Sequence, residues 1–324
     1  MEMFMWIRRI AALSIIGVLA ACGSGSDDPP PPGTIAEEAT AGGFTALVAA
    51  ADKAGLVPAL SDASADLTVF APTDAAFQSL ATKLGFADAA AMVAALDGPT
   101  LAKILQYHVL PSKKLAADLV AGGASQPTLY AFEGAPTKLS LDASSGVSLG
   151  DAVLTSAAVT TPDVPASNGV IHVIDKVLVP PGVLTVVQMA QVNPSFSVLV
   201  DAVVTANLAA TLGGAGPLTV FAPTDDAFAA ALGELGVTRD QLLADPALPD
   251  ILEYHVVAGD VRAADVVALP KPAAVATVQG DSFTVGADLG ITDGRARVAR
   301  LLATDVFASN GVIHVIDKVL LPPL

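Results

Sequence analysis

The chain has four histidines, and each lies in a segment that occurs twice. His108 and His255 follow a tyrosine, in Tyr107-His108-Val109 and Tyr254-His255-Val256. His172 and His314 sit inside Asn-Gly-Val-Ile-His-Val-Ile-Asp. Imidazole is the side chain most suited to general-base or metal-ligand work near neutral pH, so one pair per repeat could form such a centre. A metal centre needs three or four donors, and no third ligand type recurs beside these histidines. We therefore expect no metal and no cofactor. Each imidazole is expected to bond backbone or a carboxylate and lock strands together, with His172 buried inside its apolar run.

Other chemical groups have similarly plain explanations. Thr73 and Asp74, like Thr224 and Asp225, follow Ala-Pro ahead of a helical pattern. Threonine accepts an N–H at a helix start, and an aspartate in the first turn complements the helix dipole, so capping is expected rather than catalysis. Asp175-Lys176 and Asp317-Lys318 read as rim ion pairs. Asn168-Gly169 and Asn310-Gly311 read as turns that tolerate positive φ. Gly146-Val147-Ser148-Leu149-Gly150 has the spacing of a nucleophile elbow, but an elbow needs a helix after it, and β-prone sequence follows. Gly280-Asp281-Ser282-Phe283 lies between short strands. Gly213–Gly216 precedes a strand, so it is a flexible turn rather than a phosphate loop. These residues do not suggest an enzyme.

The elements that carry these groups are duplicated. Leu67-Thr-Val-Phe-Ala-Pro-Thr-Asp recurs at Leu218, the Tyr-His pair recurs at Tyr254, and Ala166–Leu178 recurs as Ala308–Leu320. Phe44, Leu47, Val48 and Ala51 have helical spacing, and Gly55 stands where that helix would stop. Residues 67–71 form an apolar, β-prone run, and a helix opens at Thr73. Residues 87–96 and 100–107 read as further helices. The back half carries short β-prone runs at 129–132, 138–141, 147–149, 153–157 and 170–177. Helices first and strands later make an α+β domain, present twice.

These three segments, in order and twice over, resemble the hallmark boxes and intervening Tyr-His motif of the fasciclin domain family, across roughly residues 34–324. The resemblance implies two tandem fasciclin-type domains, each a β-sandwich wedge with several packed helices. Members of that family are extracellular adhesion, matrix and cell-surface proteins. In animal relatives the Tyr-His region is implicated in integrin contact. By that resemblance Tyr107, His108, Tyr254 and His255 are candidate binding residues, although no Arg-Gly-Asp is present.

Arg8-Arg9 precede an uncharged run, Ile10–Ala21, too short to cross a membrane as a helix. It ends in Leu19-Ala20-Ala21-Cys22-Gly23, which resembles the lipobox of bacterial lipoproteins. That resemblance implies cleavage before Cys22, acylation of Cys22 and, with glycine next, an outer-membrane location in the cell envelope. Several acyl chains anchor stably where one would be marginal. Gly23–Gly33 is a Gly/Ser and proline tether. The expected organisation is a leader over 1–21, a tether over 22–33, and domains over 34–181 and 182–324.

Composition narrows the partners. The formal net charge of −16 disfavours nucleic acid. With Cys22 the only cysteine, no internal disulfide is available. The second copy carries Arg295, Arg297 and Arg300 close together, a cluster that would suit an anionic partner or the other domain. The reading these features favour is a binding or adhesion module that meets a protein or glycan of the cell surface or matrix. It would use a domain surface or the groove between copies. The alternatives are a structural or stress-related envelope protein without a dedicated ligand, and a carrier of a small apolar ligand or a hydrolase using an inter-element pocket. Oligomeric state is left open.

Overall fold

The computed structural model describes residues 31–324 apart from Ser145. The expected leader, Cys22 and nearly all of the tether lie outside the described residues. Gly33, expected to be tether, is already held: its carbonyl accepts the Ser167 N–H at 2.8 Å, and its own N–H donates to Glu38 Oε1 at 2.7 Å.

The first repeat opens with helices α1 (Ile35–Ala41), α2 (Thr45–Lys53) and α3 (Val57–Leu60). Thr34 and Glu37 form a capping box at the start of α1. Strand β1 (Leu67–Pro72) follows, then α4 (Asp74–Lys83), α5 (Ala89–Ala95) and α6 (Gly98–Tyr107). The back half is β2 (Val109–Leu110), α7 (Ala116–Ala121), β3 (Ser125–Phe132), β4 (Ala135–Asp142), β5 (Ser148–Gly150), β6 (Ser156–Ala166) and β7 (Gly169–Ile174). The second repeat starts with α8 (Val186–Val192), which Thr185 caps with Gln188 as Thr34 does with Glu37. It continues through α9 (Ser197–Thr205), α10 (Ala209–Leu212), β8 (Leu218–Pro223), α11 (Asp225–Leu235), α12 (Arg239–Leu243) and α13 (Leu248–Glu253). Then come β9 (Val256–Ala258), α14 (Ala263–Ala268), β10 (Ala273–Ala276), β11 (Ser282–Val285), β12 (Ile291–Thr292), β13 (Val298–Ala299), β14 (Leu301–Ala308) and β15 (Gly311–Ile316).

In the first repeat the strand order is β2-β1-β7-β6-β5-β4-β3. Only β1 and β7 run parallel; the other neighbours are antiparallel. A parallel pair is covered on both faces and so reads as a continuous apolar run, which describes both Leu-Thr-Val-Phe-Ala-Pro and Gly-Val-Ile-His-Val-Ile. Strand β6 makes the corner of the wedge. Ser156–Ala158 pairs with β5, and Val159–Ala166 pairs with β7 through two register shifts, between Val159 and Thr161 and between Thr161 and Val164. In the second repeat this strand is divided at Arg300 into β13 and β14. Two four-stranded sheets result, β10-β11-β12-β13 and β14-β15-β8-β9.

The strand expected over 153–157 is a turn as far as Thr155, and β6 runs on to Ala166. Pro162, Asp163 and Pro165 hid it. Beyond Val159 the strand pairs on one side only, and a free edge tolerates prolines because no ladder bond is lost there. The short elements α1, α3, α7 and β2 were also not anticipated.

Each repeat has its own β-core, built on Phe70, Tyr107 and Leu139 in the first and on Phe221, Tyr254 and Phe283 in the second. The helical cores are instead continuous across the two repeats. Val183 and Leu184, just past the end of the first repeat, sit among Leu80, Leu84, Leu96 and Ile104. Lys83 Nζ donates to the Val192 carbonyl at 3.1 Å, and Asn193 Nδ2 donates to the Val153 carbonyl at 2.8 Å.

The parallel pair demands glycine at its start. A Cβ on Gly169 would run into the Leu67 carbonyl oxygen, and one on Gly311 into that of Leu218. Gly169→Ala and Gly311→Ala should each cost about 2–4 kcal/mol of stability, read as a lower urea midpoint at unchanged m-value. Either variant matching wild type would mean that the strands can separate at that point without penalty.

Candidate functional site

The recurring motifs turn their polar atoms inward. His108 ends α6. Its Nδ1 donates to the Ile104 carbonyl at 2.8 Å, and its Nε2 accepts the Leu178 N–H at 2.9 Å. His255 does the same with Ile251 at 2.7 Å and Leu320 at 2.8 Å. An Nε2 that accepts a backbone N–H carries no proton, so the tautomer follows from the partners. Burial pulls both imidazoles down to about 4, against the opposing pull of the Ile104 and Ile251 carbonyls. The Tyr254 hydroxyl donates to the Ser282 carbonyl at 3.0 Å and that of Tyr107 reaches the Lys138 carbonyl at 3.5 Å; burial raises both phenols. Tyr107, His108, Tyr254 and His255 are each 2% exposed or less. Their candidate role as contact residues is therefore corrected: the histidines hold the end of the helical layer to the segment after the last strand, and the tyrosines hold it to β4 and β11.

His172 and His314 join the last strand to the loop before α7 or α14. The Nε2 of His172 donates to the Lys114 carbonyl at 2.9 Å, and its Nδ1 accepts the Asp163 N–H at 3.2 Å. In His314 the partners are Val261 at 2.9 Å and Asp305 at 3.4 Å. Asp163 and Asp305 sit at bulges with φ of 60° and 57°. Their carboxylates accept the first N–H of α7, from Ala116 at 2.7 Å, and of α14, from Ala263 at 2.9 Å.

The expected caps are more divided in their work than the sequence suggested. Thr73 and Thr224 cap their own helices through the N–H groups of Ala76 and Ala227, each at 3.2 Å. The Asp74 carboxylate instead serves the start of α2, accepting the Thr45 hydroxyl and, at 2.9 Å, the Ala46 N–H. Burial works to raise its pKa, but these hydrogen bonds together outweigh it and hold the carboxyl below the usual range. Asp225 likewise accepts from Ser197 Oγ at 2.6 Å and Val198 N–H at 2.8 Å at the start of α9. Asp175 does not pair with Lys176, nor Asp317 with Lys318. The two aspartates take the strand N–H groups at the wedge corner, those of Ala158 and Arg300, each at 2.7 Å. Lys176 reaches the buried Asp151 at 3.0 Å, and Lys318 comes within 3.9 Å of Glu234.

The arginine cluster is not one free patch. Arg297 is spent on Glu234 at 2.7 Å, Asp293 at 3.4 Å and the Val319 carbonyl at 3.0 Å. Arg295 Nε donates to the Pro322 carbonyl at 3.2 Å. Arg300 is exposed. Among the described residues, no group of three His, Cys, Asp or Glu side chains is placed to hold a metal.

Three devices escaped sequence reasoning. Asn168 is a buried staple rather than a positive-φ turn residue: its amide accepts the Ile35 N–H at 2.8 Å and donates to the Leu60 and Asp62 carbonyls at 2.9 and 3.0 Å. Asn310 repeats this with Val186, Leu212 and Gly214. Asp151 and Asp293 are buried carboxylates, each accepting a backbone N–H from the segment after the last strand, Val179 at 3.2 Å and Leu321 at 3.0 Å. Both recur at the same spacing as the last box, which was the available signal. The third device is the junction between repeats, where Glu133 meets Arg262.

A fasciclin domain model matches residues 42–180 and again residues 194–322. The chain belongs to the fasciclin domain family. Protein sll1483 of Synechocystis sp. is 44% identical over 145 residues, covering 44% of this chain and 75% of the relative. Transforming growth factor-beta-induced protein ig-h3 of Sus scrofa is 28% identical over 265 residues, 79% of this chain but 34% of that longer protein. A solved FAS1 domain pair from the insect cell adhesion molecule fasciclin I covers 88% of this chain and 98% of its own at 20% identity, with a TM-score of 0.45. No helix among the described residues is long and apolar enough to cross a membrane.

The junction of the two fasciclin domains is where their side chains meet in a cleft. The β3–β4 hairpin has eight residues per strand, against four in β10–β11, and the extra length carries its tip to the second domain. There the Glu133 carboxylate accepts both Arg262 Nη1 at 2.9 Å and Nη2 at 2.5 Å. Asp260 holds the same guanidinium at 3.0 Å, which lies 5.0 Å over the Phe307 ring. Phe132 packs on Phe307 with ring centroids 5.3 Å apart. The Gly182 N–H donates to the Phe307 carbonyl at 2.9 Å, and the Tyr130 hydroxyl donates to the Pro181 carbonyl at 3.0 Å. Beside this clasp is a polar cleft of about 430 Å3 with walls from both domains. The apolar pockets at His108 and His255 hold only about 80 and 40 Å3, far below the several hundred Å3 of ordinary ligand pockets.

The neutral histidines set a pH dependence. Their pKa values fall from 6.5 in the unfolded chain to about 4 in the fold, so between these limits the unfolded state binds more protons. Their contribution is complete above pH 6.5 and is lost as pH drops towards 4, at roughly 1 kcal/mol per pH unit for each imidazole. Urea titrations across this window should show that slope, and His108→Gln with His255→Gln should flatten it. An unchanged slope in the double variant would assign the effect elsewhere.

Proposed function

We propose that the chain is an envelope-anchored binding module of the adhesion type, presenting two fasciclin domains as one rigid unit to a protein or glycan of the cell surface or matrix. The observation that supports it most directly is the clasp of Phe132 and Glu133 on Arg262 and Phe307. Two domains held at one angle offer contact surfaces at fixed spacing. That raises the effective concentration for a second contact, provided the partner's sites match the span. The histidines are buried and the hallmark aspartates are occupied by N–H and hydroxyl groups of the fold, which leaves recognition to the exterior and the inter-domain cleft. The Leu19-Ala20-Ala21-Cys22 segment supports acylation at Cys22 and an outer-membrane address.

Glu133→Arg should break the clasp, and Glu133→Arg with Arg262→Glu should restore it. On arrays of matrix proteins and envelope glycans, the single variant should lose roughly tenfold or more in avidity for whatever the wild-type chain retains, and the double variant should recover it. Equal retention by all three would remove the rigid display, and no retention of any component by wild type would remove the binding reading itself. In cells, Cys22→Ala should move the chain from the membrane to the soluble fraction and abolish labelling with a fatty-acid analogue. Labelling that persisted without the thiol would refute the anchor.

A further inference from the structure

The β-cores of the two domains are built from equivalent positions, and three of those positions differ by one methylene. Leu110 opposes Thr68 on β2, and Val257 opposes Thr219 on β9. Leu119 and Val266 are each the fourth residue of the short helix α7 or α14. Leu141 pairs with Leu149 as Val285 pairs with Ile291. All three leucines are buried in the first domain, and all three valines in the second. A fourth difference enlarges the effect. Tyr130 fills the first core edge-on to Tyr107, at 6.3 Å between centroids, and the shorter hairpin of the second domain has no residue in its place. Phe283, at the position of Leu139, takes up part of that space, edge-on to Phe221 at 5.0 Å and to Tyr254 at 6.2 Å.

What is left over is a cavity of about 140 Å3 in the second domain, lined by Val257, Val266 and Val285 with Phe221, Ile291 and Leu301. Its polar neighbours offer little to water. His314 presents ring carbons, since the Val261 carbonyl and the Asp305 N–H occupy its nitrogens. Thr304 stands at the exposed rim. Away from that rim the walls offer water no hydrogen-bond partner, and an engineered apolar cavity of about 150 Å3 stays dry and takes up benzene or xenon. A guest of matching shape restores the dispersion contacts that the missing methylenes would have made. We propose that this cavity is a binding site for one small, uncharged apolar group of about the size of a benzene ring. It belongs to the second domain alone, because in the first Leu110, Leu119, Leu141 and Tyr130 fill the corresponding space.

The first domain serves as the control within the same molecule. The full chain, with its valine and leucine methyls labelled, is titrated with benzene. The methyl signals of Val257, Val266 and Val285 should shift and saturate while those of Leu110, Leu119 and Leu141 stay in place, and the melting temperature should rise with benzene concentration. Val266→Leu installs the residue that the first domain already accommodates. It should weaken benzene binding by roughly tenfold or more without loss of stability. Should that variant misfold, Val257→Leu carries the same test. Three results would overturn the assignment: no saturable shift at the valines, equal shifts in both domains, or unchanged affinity in the filled variant.

Discussion

A parallel pair of strands buried on both faces leaves the backbone groups at its ends and flanks with no water to bond. In both fasciclin domains this demand falls on β1 with β7 and on β8 with β15, and the surrounding side chains answer it. His108 and His255 take an N–H from the segment leaving the last strand, and so do Asp151 and Asp293. Asn168 and Asn310 tie the turn before that strand to the first helix, and to the end of the short helix α3 or α10 and the loop after it. Among the described residues, no buried side-chain nitrogen or oxygen lacks a partner. An unmade buried hydrogen bond costs more than a made one contributes. A fold with this much backbone to satisfy therefore holds its polar residues to fixed places.

The duplicated chain shows which parts of that solution are rigid and which are negotiable. The carboxylate of Asp151 has Lys176 as its cation, whereas that of Asp293 has Arg297, which arrives from a different position. Lys83 caps the end of α8, and Glu234, at the matching place in α11, closes instead on Arg297 and Lys318. The acceptor is kept because backbone geometry requires it. The counter-ion needs only to be near, so its source has drifted.

The repeat, the α+β order and the helix starts were legible in the sequence, because each rests on local spacing or on self-comparison. Thr73 and Thr224 are legible as caps for that reason. The partner of Asp74 was not, since α2 lies far back in the chain and comes beside it only in the fold. Strand β6 was hidden by its prolines, whose tolerance depends on which edge is unpaired. The Tyr-His pair drew a surface role from family resemblance, although its burial follows from sitting between an amphipathic helix and the next strand. The Glu133–Arg262 clasp joins residues 129 positions apart. It depends on the length of a hairpin, and no motif encodes that length.

Val183 and Leu184 lie beyond the end of the first repeat yet are seated in its helical core. A cut made at the apparent seam, between Pro181 and Gly182, would pull this plug from one half and leave it dangling from the other. The two repeats thus share one helical core, and the seam in the sequence is not a seam in the packing. Recombination that copied or swapped one half alone would have to carry those two residues with the half they precede, and supply a new lining to receive them.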